Sequence, residues 1–281
     1  MATGFPIIFG SSQARWTPAK ISTALWLDAA DATTVTLNGT AVSQWRDKSG
    51  NGRNASQSTA TNQPTYQAGL SGKNAVVFDG SLDYLEITNN LFTGESTNTF
   101  TFIAVVVPDN SGRNSGVSGS TLLMRQLNSD GAGSWGVGYT SDGRMYTRLH
   151  TVTGEDLTGS VFSNASTVVD DVGTMWNYDY NGPGGSVAND RWIFRQNGST
   201  VARTSTQRSE KNWNNPQGNT YVGCGWLGGG AYQFKGEANE IIVTPNILDT
   251  TNRQLVEGYL AWKWGLQGSL PSNHPYKNTP P

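Results

Sequence analysis

Phe100-Thr-Phe-Ile-Ala-Val-Val-Val107 is the stretch whose reading decides the fold. Its second half is apolar at every position, so both faces of the strand need cover, which predicts a central strand rather than an edge. Outward from it, segments of the same kind recur in both directions. Upstream lie 21–28, 42–46, 74–78 and 84–88; downstream lie 121–127, 135–140, 144–150, 167–178, 191–196, 199–204, 221–226 and 234–243. Asn197-Gly198 between two such runs is the strongest short-range hairpin signal, because both turn residues tolerate positive φ. Strands at this spacing with no alternating helices predict an all-β, antiparallel sandwich and not an α/β fold.

One helix breaks the pattern. Asp249 is a suitable N-cap, and Leu255, Val256, Tyr259, Leu260 and Trp264 share one helical face. Gly265 or Gly268 ends it, and Pro271 prevents continuation. The expected organisation is an arm over residues 1–20, then one sandwich domain over 21–281 that includes a short C-terminal helix at about 250–265. No repeat, coiled-coil heptad or collagen-like run is present, which excludes a fibre shaft.

Composition agrees with many short strands and tight turns. The 281 residues include 34 glycines but only 14% charged side chains, against roughly a quarter in an average domain. A net charge of -2 gives no electrostatic reason for a nucleic-acid or membrane partner. The single Cys224 excludes a disulfide within the chain. The opening residues lack a basic n-region and a signal-length apolar run, so export by the usual route is not expected.

Several segments carry a resemblance. Trp26-Leu-Asp-Ala-Ala-Asp31, Val42-Ser-Gln-Trp-Arg-Asp-Lys-Ser-Gly-Asn-Gly-Arg53 and Phe78-Asp-Gly-Ser-Leu-Asp-Tyr-Leu85 open the domain. Gly236-Glu-Ala-Asn-Glu-Ile-Ile-Val243, Gly258-Tyr-Leu-Ala-Trp-Lys-Trp-Gly-Leu266, Leu270-Pro271 and His274-Pro-Tyr276 close it. Together they resemble the laminin G-like, concanavalin A-like jelly-roll domains of bacteriophage virion proteins and bacterial surface proteins. The resemblance implies a jelly-roll β-sandwich and says little about function, since the fold hosts lectins, glycosidases, lyases and structural modules.

Catalysis is tested on the carboxylates. Glycoside hydrolysis needs two of them facing one bond. Glu237 and Glu240, like Asp83 and Glu86, are an odd number apart and point to opposite faces of a regular strand. Of the two histidines, His150 ends a strand and His274 is read as packing beside Pro275-Tyr276. The chain is therefore read as not an enzyme. No cofactor is expected except calcium, for which Asp79 and Asp83, flanking a Gly-containing turn, are the candidate ligands. One Cys and two separated His exclude zinc.

Glycans bind on exposed aromatic platforms beside amide and backbone hydrogen-bonding groups. Trp176, Tyr178 and Tyr180 fall on one face of a strand, and Trp213, Trp226 and Tyr232 lie in Asn- and Gly-rich stretches; these six are the glycan-binding candidates. Trp26, Trp45, Trp262 and Trp264 are read as core. Phe5, Ile7, Ile8 and Phe9 give the arm an apolar stripe, suited either to covering the sandwich or to attachment to another protein. The combined expectation is a bacteriophage virion surface protein, a capsid decoration or head or tail fibre module assembled in the host cytoplasm. Its expected partners are other virion proteins and cell-surface or environmental glycans, and a homo-oligomer is compatible with this. The alternatives are a polysaccharide-degrading enzyme on the same fold and a structural cementing protein without a ligand.

Overall fold

The structure is a computed structural model that describes residues 15–88, 91–92, 99–109, 120–126, 135–149, 159–182, 192–206, 218–224 and 233–281. Among these residues the strands are β1 (Leu25–Asp28), β2 (Val35–Asn38), β3 (Ala41–Trp45), β4 (Ala55–Ser56), β5 (Thr65–Ala68), β6 (Asn74–Asp79), β7 (Leu85–Ile87), β8 (Phe100–Pro108) and β9 (Ser120–Gln126). They continue as β10 (Trp135–Tyr139), β11 (Met145–Leu149), β12 (Gly159–Ser163), β13 (Thr174–Tyr180), β14 (Trp192–Gln196), β15 (Ser199–Val201), β16 (Arg203–Thr206), β17 (Asn219–Val222) and β18 (Lys235–Thr244). The one α-helix, α1, is Thr250–Trp264.

The expected antiparallel sandwich is what forms. In one layer β8 is central, flanked by β13 and β18; β14 and β15 extend it beyond β13. The far edge of β18 pairs with β6 over Lys235–Ala238 and with β1 over Glu240–Val243. The other layer runs β7, β17, β9, β10, β11, β12, β16 in antiparallel order. Strands β3, β4 and β5 bridge the layers along one side, which makes the sandwich nearly a closed barrel.

Strand β8 shows why the central run must be apolar throughout. Phe100, Phe102, Ala104 and Val106 face the core between the layers, while Ile103 and Val105 face outward under α1. Helix α1 returns Val256, Leu260 and Trp264 onto that outer face, where burial of each large side chain contributes about 2 kcal/mol. Asp249 caps the helix by accepting from Asn252 N at 2.8 Å, and Gly265 at φ 73° ends it in the left-handed conformation. The Asn197-Gly198 turn is as read: both residues have positive φ, and Gln196 pairs with Ser199.

The bulge in β18 overturns one expectation. Its register against β8 shifts between Ala238 and Glu240, so Ala238 and Ile241 both enter the core. Glu237 and Glu240 are thereby turned to the same outer face instead of opposite ones. Among the described residues no helix is long and apolar enough to cross a membrane.

Candidate functional site

The outer face of β1 and β18 carries a buried charge network beneath α1. The Glu240 carboxylate accepts from Trp26 Nε1 and Trp264 Nε1, each at 2.8 Å, and from the Tyr259 hydroxyl at 3.0 Å. Lys263 Nζ completes its shell at 2.7 Å and also reaches Asp28 at 2.6 Å. Lys48 Nζ bridges the second Asp28 oxygen and Asp31, both at 2.8 Å. Lys48 is held there by its loop: Asp47 accepts from the backbone N–H groups of Trp26, Ser49 and Arg53.

Burial pushes the Glu240 carboxyl up, with the Lys263 ammonium opposing it. The hydrogen bond from Lys48, then that from Thr33, holds Asp31 down at about 2. Burial and the Glu240 and Asp28 charges raise the Tyr259 hydroxyl well above its usual range, so it stays a donor. An isolated buried carboxylate is costly, and full hydrogen bonding plus a cation is what makes one tolerable. With every strong acceptor position of Glu240 used, the network fastens α1 to the sheet. It is built from Trp26, Asp28, Asp47, Lys48, Glu240, Tyr259, Lys263 and Trp264, all within the segments that carry the family resemblance. The recognisable residues thus explain the architecture.

The tail behind α1 is fastened similarly. Tyr276 N–H donates to His274 Nδ1, which leaves Nε2 as the donor to buried Glu257 at 3.1 Å. Arg253 adds a 2.7 Å ion pair to the same carboxylate. His274 therefore packs, as read. Gly258 admits the tail, because a Cβ there would lie 2.6 Å from Tyr276 Cβ.

Beside the network, residues 15–17, α1 and the tail enclose a groove of about 410 Å³. Its described lining is Arg15, Trp16, Thr17, Lys73, Tyr259, Trp262, Lys263, Pro280 and Pro281. Trp16 meets the Tyr259 ring edge-on with centroids 6.0 Å apart, and Trp16 N–H donates to Pro281 O. Trp262 Nε1 donates to Tyr276 O at 2.8 Å, which fixes its indole while leaving the residue half-buried. Trp262 was expected in the core and instead lines the groove; Trp26, Trp45 and Trp264 are buried as expected.

The other candidates divide sharply. Trp176, Tyr178 and Tyr180 do share one face, but that face is the core: their relative exposures are 0%, 0% and 1%. Their strand lies between β8 and β14, so alternate residues point at the opposite layer. Trp176 packs on Tyr139, Tyr178 on Phe194, and Tyr180 on Trp192, with centroids 4.8–5.3 Å apart. As placed, none of the three offers a ring to a ligand. Trp213, Trp226 and Tyr232, the arm residues Phe5, Ile7, Ile8 and Phe9, and His150 lie outside the described residues.

Asp79 and Asp83 are engaged in the turn they flank. Asp79 Oδ1 accepts from the N–H groups of Ser81, Leu82 and Asp83, and Asp83 accepts from Asp79 N–H. Burial, with the neighbouring Asp79 charge, pushes the Asp83 carboxyl up to about 6. Among the described residues there is no group of three or more His, Cys, Asp or Glu able to hold a metal. The paired glutamates of β18 are likewise engaged separately: Glu237 accepts from Leu70 N–H at 3.0 Å, while Glu240 is enclosed by the network.

No protein-family model and no curated protein matches this chain. Solved structures do. A Trypanosoma rangeli sialidase is similar at 13% identity, over 86% of this chain and 33% of that one, with a TM-score of 0.52. Domain 4 of AbnA, a GH43 extracellular arabinanase from Geobacillus stearothermophilus solved with arabinotriose, is similar at 12% identity, over 82% of this chain and 95% of that one, with a TM-score of 0.51. A point mutant of the NanB sialidase from Streptococcus pneumoniae is similar at 13% identity over 64% of this chain, with a TM-score of 0.48. The chain corresponds to only 26% of that sialidase and 33% of the trypanosomal one. At such identities the likeness establishes the sandwich fold, one that parts of carbohydrate-active proteins also carry.

Proposed function

We propose that this chain is a non-catalytic, lectin-like recognition module that binds glycans and is displayed on a bacteriophage virion, as a capsid decoration or as part of a head or tail fibre. The observation that carries the glycan reading is the groove: Trp16, Tyr259 and Trp262 line one 410 Å³ depression beside a rigid helix. Aromatic faces take the C–H side of a pyranose, and the fixed Trp262 indole holds its platform without further ordering cost. The sandwich of domain 4 of the arabinanase, similar in fold to this one, was solved with an oligosaccharide. Separate engagement of Glu237 and Glu240 supports recognition without cleavage. The virion assignment is supported by the resemblance at both ends of the domain.

A glycan array tests the first part, with Trp16→Ala and Trp262→Ala as variants. Binding by the wild type that both variants lose supports it; absence of binding across the array refutes it. Mass spectrometry and antibody labelling of purified particles test the second part. Absence of the chain from every particle preparation refutes the virion assignment.

A further inference from the structure

We infer that the groove takes an acidic sugar, a glycan unit carrying a carboxylate; the inference rests on the glycan reading above and names its ligand class. Three basic side chains line the groove, Arg15, Lys73 and Lys263, and the described lining contains no Asp or Glu. Lys263 is already neutralised from below by Asp28 and Glu240. Arg15 and Lys73 have no ion-pair partner among the described residues. Two cations without an Asp or Glu partner among the described residues, on one aromatic-lined depression in a chain of net charge -2, form a local attraction for an anion.

The geometry divides the work between two kinds of group. Trp16 and Trp262 offer ring surface to a sugar's apolar face. Arg15 presents a planar fork that matches a carboxylate in a bidentate manner, and Lys73 adds a mobile point charge. The Tyr259 hydroxyl is turned inward to Glu240, so its ring, and not its polar tip, faces the groove. A neutral sugar would therefore meet stacking surface but leave both cations unanswered.

Calorimetric titration of the full chain decides the matter, with oligogalacturonate against its methyl ester and sialyllactose against lactose. The expected result is binding of at least one acidic sugar about ten-fold or more tighter than its neutral counterpart. Arg15→Gln and Lys73→Gln are expected each to weaken the acid several-fold and leave the neutral sugar unchanged. Raising the salt to about 0.5 M is expected to weaken the acid alone. Thermal melts check that the substitutions, at exposed Arg15 and half-buried Lys73, leave the fold intact. Equal affinity for acid and neutral partner overturns the inference and leaves the glycan reading standing. Acid binding insensitive to both variants overturns it by placing the site elsewhere. Binding of none of the four sugars removes both the inference and the site it rests on. Capture by phosphatidylserine vesicles through Arg15 and Lys73, with no sugar bound, also overturns it.

Discussion

Replacing Lys263 with methionine tests whether the charge network fastens the helix. Methionine keeps much of the aliphatic stem, so the substitution removes the ammonium more than the packing. Before the change, Asp28, Asp31 and Glu240 share two lysines; afterwards only Lys48 remains, and it touches Asp28 and Asp31 but not Glu240. Glu240, at 0% exposure, then keeps three neutral donors and no cation. Removing one partner of a buried pair costs about 3–5 kcal/mol. For a chain of this size that corresponds to a fall in Tm of roughly 5–9 °C. The loss depends on pH with a definite sign. Without Lys263 the Glu240 carboxyl rises further, so protonation relieves the buried charge and the deficit shrinks as pH falls. Urea unfolding followed by tryptophan fluorescence measures both quantities. Glu240→Gln and the double variant complete a cycle, in which a coupling of at least about 2 kcal/mol is expected. A deficit below about 1 kcal/mol with negligible coupling would refute the fastening argument.

Asp83→Asn probes a carboxyl raised to about 6. A folded-state value above the unfolded one means that the native state holds the extra proton, so the wild type loses stability as pH rises from about 4 to 7. The Asn variant, whose amide oxygen still accepts from Asp79 N–H, is expected to melt higher than wild type at pH 8 and alike at pH 4; a gap that does not change with pH contradicts the assignment. Gly258→Ala improves helix propensity by about 1 kcal/mol, yet its Cβ meets the Tyr276 side chain, so a net loss of about 1–2 kcal/mol and faster proteolysis of the tail are expected. A gain in Tm would show that the tail yields freely. Trp176→Ala is expected to cost about 3–5 kcal/mol while leaving glycan affinity per folded molecule unchanged; affinity lost without stability would return this residue to the binding surface.

The longest elements were the most legible. The second half of β8 announced itself by being apolar on both faces, and the Asn197-Gly198 hairpin by its turn chemistry. Strands β2, β4, β5 and β12 were not foreseen, because each is five residues or fewer and rich in Thr, Ser, Gln or Gly. Backbone pairing with neighbours makes such segments strands, and that information is not local. The β18 bulge was equally invisible, since simple alternation cannot register an inserted residue. For the site, alternation correctly grouped Trp176, Tyr178 and Tyr180 but carried no sign of which face met water. Trp262 was misplaced for the converse reason: the helix pattern marks its neighbours as buried, and only the returning tail reveals the groove it borders. Arg15 and Trp16, counted within a leader without periodicity, gave no signal until the fold set them beside Tyr259.

The fastening of α1 joins residues far apart along the chain. Trp26 meets Glu240 across 214 positions, and Asp28 meets Lys263 across 235. Contacts of such high sequence separation form slowly, because closing so large a loop is entropically expensive before any reward arrives. On a ribosome, the first strand would emerge long before its distant partners, leaving Trp26 without Glu240 and Asp28 with Lys48 but not Lys263. Native closure of the outer layer is therefore a late event that requires the C-terminal helix. Chains stopped before Lys263 would lack the cation that reaches Asp28 and Glu240, so this face closes only once the whole helix is present.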